Sequence, residues 1–372
     1  MLAVIPPGAK GIKVRRSFET ESYVTVEDIK EIDRSGMYSV LVDFHAQVED
    51  AARIGRSTPV KLNVKGIDSI VLTGMGGSAM GGDLLRAFLS DTITVPLLIN
   101  RHYDLPAFAD RNTLVIISSY SGNTEETIAA HRAAIKRKAR ILCLTSGGMT
   151  EALAKQHRQN IVKVPAGLQP RAALGYLFFP LLIVLSRLGI VPPRQPGIRE
   201  TIQLLKAKGL AYGDVAASNN LPLKLARQLQ GKLPIIYSPA VYFDAIGMRW
   251  RGQICENAKK LAFSHVLPEM NHNELVGWKI GAELMRQMEV IYLRDRGIHK
   301  RIALREDISS RIITPYASHV TDVWSEGHSL LARMFSLIYL GDWVSFYLAI
   351  LNKEDPTPVA VIQQLKGELA KV

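Results

Sequence analysis

The feature that most constrains this chain is a repeat of short β-branched runs, each followed by a polar or glycine-rich turn and then by a helical pattern. Ser69-Ile-Val-Leu-Thr73, Val95–Ile99, Thr113–Ile117, Arg140–Leu144 and Asn160–Val164 read as buried strands. Between them lie segments such as Thr127–Lys136, with Ile128 and Ile135 on one helical face. Such alternation builds a parallel, doubly wound sheet, which collects ligands at the carboxyl ends of its strands. The prolines and glycine of Val191-Pro-Pro-Arg-Gln-Pro-Gly197 mark a linker. Helical segments at 198–212 and 221–229 follow, and then the alternation resumes. It runs through strand Pro234–Tyr237, helix Tyr242–Leu261, strand Glu289–Leu293, helix Gly297–Ile308, strand Ala317–Val323 and the long helix Leu330–Leu351. The fold class is therefore α/β, with two doubly wound parallel-sheet subdomains flanked by helices. At 372 residues the chain is long for a single core, which agrees with two units. The expected boundaries are an N-terminal extension at 1–30, a first domain at 31–192 and a second at 193–372. Helices at 26–35 and 38–56 lead into the first strand, and a last short helix runs to about Leu369.

Charge and cysteine content narrow the class. The formal charge of +12 suits steering of anionic metabolites. Its densest cluster, His131 to Arg140, falls on a helix with an apolar opposite face and reads as a solvated surface. Without zinc-finger spacing or RNA-binding aromatics, no nucleic-acid partner is expected. Cys143 and Cys255 can form neither a disulfide framework nor a four-cysteine metal site, and they fit a reducing cytoplasm. Residues 1–30, with Lys10, Lys13, Arg15 and Arg16, read as an extension packed on the surface, and the start lacks signal-peptide character. Pro180 and Arg187 interrupt the apolar window 174–190, and Arg333 and Asp342 interrupt 330–351. Both windows are therefore expected as buried core helices, with no membrane partner.

Three loops carry chemistry. Ser118-Ser-Tyr-Ser-Gly-Asn-Thr-Glu-Glu-Thr127 links a strand to a helix, where free backbone N–H groups and the positive dipole end gather. Its hydroxyls read either as a cradle for a small dianion or as ordinary helix caps. Gly74-Met-Gly-Gly-Ser-Ala-Met-Gly-Gly-Asp83 reads as a glycine-rich turn before a helix from about Leu84, with Ser78 as a second half of the cradle. Gly74-x-Gly76-x-x-Ala79 matches a dinucleotide fingerprint, but Asn100-Arg101-His102 lacks the acidic ribose reader and no Gly-Lys-Ser/Thr follows. The third loop is Pro165–Gly175, which holds Gln169-Pro170-Arg171. All three fall at one carboxyl edge.

Gly74-Met-Gly-Gly-Ser78 and Ser119-Tyr-Ser-Gly-Asn-Thr124 together resemble the sugar isomerase (SIS) domain. Gln169-Pro-Arg-Ala-Ala-Leu-Gly175, Cys255-Glu-Asn-Ala-Lys259, Met270-Asn-His-Asn-Glu274, Leu340-Gly-Asp-Trp-Val344 and Asp355-Pro-Thr-Pro358 are similar to motifs of the bifunctional phosphoglucose/phosphomannose isomerases. These motifs run from about residue 70 to 366. The resemblance implies a homodimeric aldose–ketose isomerase that converts glucose 6-phosphate and mannose 6-phosphate to fructose 6-phosphate without metal or cofactor. By motif match, Gly77, Ser78, Ser119, Ser121 and Thr124 hold the phosphate. Arg171, Glu256, His272 and Lys366 fall on catalytic positions, with His272 reaching in from the partner chain, and Thr357 matches a threonine linked to accepting both C2 epimers.

The chemistry fits these residue types. Isomerisation needs a base, an electrophile for the enediolate and an acid/base pair for ring opening. Apolar Ile254 and Cys255 beside Glu256 suggest a setting that suits a carboxylate taking up a proton near neutrality. Its ordinary alternative is a surface glutamate paired with Lys259 or Lys260. Arg171 offers fixed charge, and His272 both donates and accepts near pH 7. Rival functions are a phosphosugar sensor, another phosphosugar enzyme such as an amino-sugar phosphate isomerase, and a nicotinamide-dependent dehydrogenase resting on the glycine match alone.

Overall fold

The structure, a computed structural model, describes residues 24–369 and 371, so the basic cluster at 10–16 lies outside the described residues. Three helices come first: α1 (Val26–Ile32), α2 (Met37–Val42) and α3 (Phe44–Ser57). The single helix expected over 38–56 is broken at Asp43, and the Leu41 carbonyl accepts a hydrogen bond from the Tyr339 hydroxyl at 2.6 Å.

Strand–helix alternation then follows as expected: β1 (Ser69–Thr73), α4 (Gly76–Leu89), β2 (Leu97–Asn100), β3 (Thr113–Ser119), α5 (Glu125–Lys136), β4 (Arg140–Thr145), α6 (Gly148–Gln156) and β5 (Asn160–Lys163). The five strands form one parallel sheet in the order β2-β1-β3-β4-β5, with Thr73 level with Ile117. Strand order reverses between β1 and β3, so the loops leaving these two strands flank the crevice where such sheets bind ligands. β1 and β3 are buried along their whole length, the reason their sequences read as unbroken apolar runs.

The glycine-rich segment corrects the sequence reading. Helix α4 starts at Gly76, not near Leu84, and its Gly77, Gly81 and Gly82 allow close approach. A Cβ at Gly81 would sit 2.8 Å from the Leu177 carbonyl oxygen, and one at Gly82 would sit 2.6 Å from Leu72. Intrinsic propensity yields there to packing.

A one-turn 3-10 helix (Pro170–Ala172) leads into α7 (Leu174–Arg187), α8 (Gln195–Gly213) and α9 (Leu221–Leu229). Pro196 lies in the first turn of α8, so the expected linker is partly helical. The second sheet comprises β6 (Leu233–Pro239), α10 (Asp244–Asn257), β7 (Phe263–Leu267), α11 (Ala282–Met285), β8 (Met288–Arg294), α12 (Lys300–Ile313) and β9 (His319–Trp324), with 3-10 turns at Glu269–His272 and Glu274–Gly277. Its order is β7-β6-β8-β9, again parallel. Edge strand β7 escaped the sequence reading because it is short and mostly half-exposed, so it lacks an apolar run. Helices α13 (Leu330–Leu351) and α14 (Ala360–Leu369) end the chain.

Helix α13 is long and apolar enough to cross a membrane, yet 94% of its most apolar window is buried inside the molecule. It packs against α8, α9 and α10, as a core helix. The basic cluster is more structural than its sequence suggests. His131 is fully buried with Nε2 2.7 Å from Gln159 Oε1, and Arg137 donates to the carbonyls of Leu105, Pro106 and Ala109. The neighbouring Cys143 thiol is pushed up to about 12 by burial.

Candidate active site

The glycine and serine loops are knitted together at the switch point. The Tyr120 N–H donates to Ser78 Oγ at 3.0 Å, and Ser118 Oγ donates to the Ser78 carbonyl at 3.2 Å. This contact forces Gly74, where a Cβ would lie 2.6 Å from the Ser118 carbonyl oxygen. The serine loop then turns through Gly122 at φ +73°, and a Cβ there would sit 1.8 Å from the Gly147 carbonyl oxygen. Gly122 in turn accepts from the Thr150 N–H at 2.9 Å, so the 145–150 loop buttresses the turn.

Within the loop, the Gly122 N–H donates to Ser119 Oγ, and Ser119 Oγ lies 3.4 Å from Thr124 Oγ1. Ser121 is exposed and accepts from the Asn123 N–H. Thr124 is the N-cap of α5, but its side chain accepts no hydrogen bond from the helix. Capping is therefore not what this hydroxyl does. By helix geometry the first N–H groups of α5 have no partner within the helix, which makes them candidates for an anion.

Arg171 joins the loops to the second sheet. A Cβ at Gly77 would lie 2.6 Å from Pro170 and 2.8 Å from the Arg171 nitrogen, so α4 begins directly against the Arg171 turn. The Arg171 side chain is only 4% exposed. It donates from Nε to Asn257 Oδ1 (2.7 Å), from Nη1 to Glu256 Oε2 (3.3 Å), and from Nη2 to the Pro356 and Thr357 carbonyls (2.9 and 2.7 Å). Four of its five N–H groups are committed, and one on Nη1 remains. Burial lowers its pKa from the usual value, the Glu256 carboxylate opposes that shift and the Arg249 charge adds to it.

Glu256 sits near the end of α10 with its side chain 34% exposed. Ile254 is buried in the core while Glu256 is part-exposed, because adjacent residues on a helix face different ways. Its neighbour is the Arg171 guanidinium. Lys259 does not pair with the carboxylate either. Its backbone adopts φ +55°, and Nζ folds back onto the carbonyls of Glu256 (2.8 Å), Asn257 (3.2 Å) and Pro356 (3.3 Å). Burial, and then the Arg171 charge, lower the Lys259 pKa.

Beneath this pair lies a polar network that the sequence reading missed. Arg249 meets Asp342 through Nε–Oδ1 (3.0 Å) and Nη2–Oδ2 (2.7 Å), and donates to the Arg171 carbonyl at 3.0 Å. Gln253 donates to Asp342 Oδ1 at 2.9 Å, and Asn257 donates to Ser345 Oγ at 2.9 Å. The available signal was Asp342 itself, a charge inside the most apolar helix. Its partner lies 93 positions away and has no local signature.

A cavity of about 180 Å³ opens where Gly76 and Gly77 face Arg171, Arg249, Gln253 and Glu256. It joins the glycine loop to the carboxylate. Ser78, Ser119, Ser121, Thr124, His272 and Lys366 do not line it: Ser78 and Ser119 are buried in their loops, His272 is exposed on the 269–272 turn, and Lys366 is exposed on α14, which buries none of its residues. Thr357 does not line it either: its carbonyl accepts from Arg171 Nη2, and its N–H donates to Asp355 Oδ1 at 2.9 Å.

Known proteins are similar to this chain along most of its length. A family model described as the bacterial phospho-glucose isomerase C-terminal SIS domain matches residues 218–369. The bifunctional phosphoglucose/phosphomannose isomerase of Caldicellulosiruptor bescii is 44% identical over 337 residues, covering 90% of this chain and 99% of that protein. The enzyme of the same name from Aquifex aeolicus is 36% identical, covering 90% and 98%. In fold, the chain is similar to a hypothetical protein of Thermus thermophilus, with a TM-score of 0.70, 15% identity and coverage of 93% and 92%. On the strength of these near-full-length matches, the chain belongs to the bifunctional phosphoglucose/phosphomannose isomerase family.

Proposed function

We propose that this protein interconverts glucose 6-phosphate and mannose 6-phosphate with fructose 6-phosphate through a cis-enediolate. The observation that carries the reading is the Glu256–Arg171 pair, which faces the glycine loop across one cavity. Glu256 takes the proton from C2 of the open-chain aldose and returns it to C1. The remaining Arg171 Nη1 hydrogen stabilises the oxyanion that develops meanwhile. The C2 proton returns at C1 by way of Glu256 and the hydroxyl proton of O2 passes to O1, while the electron pair stays within the sugar, so the step needs no oxidant. Ser78, Ser119, Ser121, Thr124 and the backbone at Gly77 grip the phosphate, while Arg171 of the first domain and Glu256 of the second meet at the reacting carbons.

A coupled assay tests the function: fructose 6-phosphate should form from both aldose phosphates. Saturable binding without turnover would favour the sensor instead. Ser121→Ala and Thr124→Ala should each raise KM for both sugars several-fold with little change in kcat, because they touch a non-reacting group. Unmoved KM values would relocate the phosphate site.

Ring opening is assigned to His272 and Lys366, and tolerance of both epimers to Thr357. His272 acts across a homodimer in this reading. In support, Val276, Ile280 and Leu284 beside its turn are 75%, 87% and 62% exposed, an apolar surface suited to a second copy. Mixing His272→Ala chains with Glu256→Gln chains should restore activity that neither has alone, since one hybrid site holds both groups. No recovery in subunit-exchanged mixtures would place His272 in its own chain's site. The cytoplasmic setting belongs to the same proposal, supported by two free cysteines.

A further inference from the structure

One wall of the cavity contains a glycine that the protein itself does not explain. Gly252 lies in the interior of α10, where glycine is less favourable than alanine because it restricts the unfolded chain least. Other glycines nearby have internal reasons. A Cβ at Gly247, on the same helix, would lie 2.7 Å from Ser238 Oγ. Across the cavity, Gly77 abuts Pro170 and Gly76 adopts φ +49°. Gly252 has no positive φ, and among the described residues a Cβ there would meet nothing within 4 Å. It nevertheless lines the cavity, one helical turn before Glu256 and so on the same face.

Polar groups flank the bare patch. Arg249 commits Nε and Nη2 to Asp342 and the Arg171 carbonyl, and Gln253 commits Nε2 to Asp342. Arg249 Nη1 and Gln253 Oε1 stay uncommitted among the described residues, a donor and an acceptor on the face that carries Gly252. Exposed helix backbone between a donor and an acceptor is a surface for a polyhydroxylated carbon chain.

We propose that Gly252 is a substrate-binding residue whose missing side chain forms the platform for the carbon chain of the hexose phosphate, between the phosphate grip and Glu256. The proposal rests on the reading of Glu256 as the base. A methyl group at 252 occupies space that only substrate fills, so it opposes binding while favouring the helix.

The test is Gly252→Ala, read by thermal melting, by steady-state kinetics with glucose 6-phosphate and mannose 6-phosphate, and by inhibition with inorganic phosphate. The melting midpoint should hold or rise by about 1–3 °C. KM for both sugars should rise at least ~10-fold, the scale of one misplaced methyl group, while the inhibition constant of phosphate stays within about twofold. Unchanged KM values with a raised midpoint would overturn the platform. So would a lowered midpoint with parallel loss of phosphate inhibition, which would mark a structural glycine. Glu256→Gln, assayed alongside, separates the two levels. If it is inactive while Gly252→Ala is normal, only the platform fails; if it turns over normally, the underlying reading fails with it.

Discussion

Glu256→Gln is expected to cut kcat for both hexose phosphates by on the order of 10²–10⁴, the contribution of a positioned acid/base group. Glutamine keeps an oxygen for the Arg171 Nη1 contact at 3.3 Å, so the cavity wall and the buried arginine stay in place. The variant should therefore melt like the parent and still be protected by inorganic phosphate at the serine loop. Because the same base serves both aldoses, the two activities should fall together. A variant that loses one and keeps the other would separate the reactions. One that keeps both would move the base away from Glu256.

Asp342→Ala is expected to cost about 3–5 kcal/mol of stability, the range for removing one partner of a buried pair. The Asp342 and Arg249 side chains are 5% and 4% exposed, so the guanidinium left behind has neither water nor counter-charge. Gln253 loses its acceptor as well. The damage should reach the site, because the same guanidinium holds the Arg171 carbonyl. Denaturant unfolding should show the lower midpoint, and kcat should drop in the fraction that remains folded. Asp342→Asn keeps part of the hydrogen bonding and should lie in between. If Asp342→Ala unfolds at the parent's denaturant midpoint, the pair is not an anchor.

The serine loop shows how far local reading reaches. That it joins a buried strand to a helix was visible in its β-branched run and its hydroxyls. Whether those hydroxyls cap the helix was not visible, since both uses favour Ser, Thr and Asn. Thr124 is an N-cap whose side chain makes no cap bond, which removes the capping reading for that one hydroxyl. His272 and Lys366 were legible by motif, yet in the single chain both stand exposed and outside the cavity that Glu256 lines.

By itself the sequence determined the strand–helix alternation, the two parallel sheets and the edge where the loops meet. Those features follow from periodicity and from turn residues, which act over a few neighbours. Tertiary structure decided why α4 can begin at Gly76, where the helix at Asp43 must break, and what surrounds Glu256. These depend on contacts between distant segments: Pro170 against Gly77, Tyr339 against Leu41, and Asp342 beneath Arg249. A glycine looks alike in a turn, at a helix crossing or under a substrate, and a buried charge shows its partner only once the chain has folded around it.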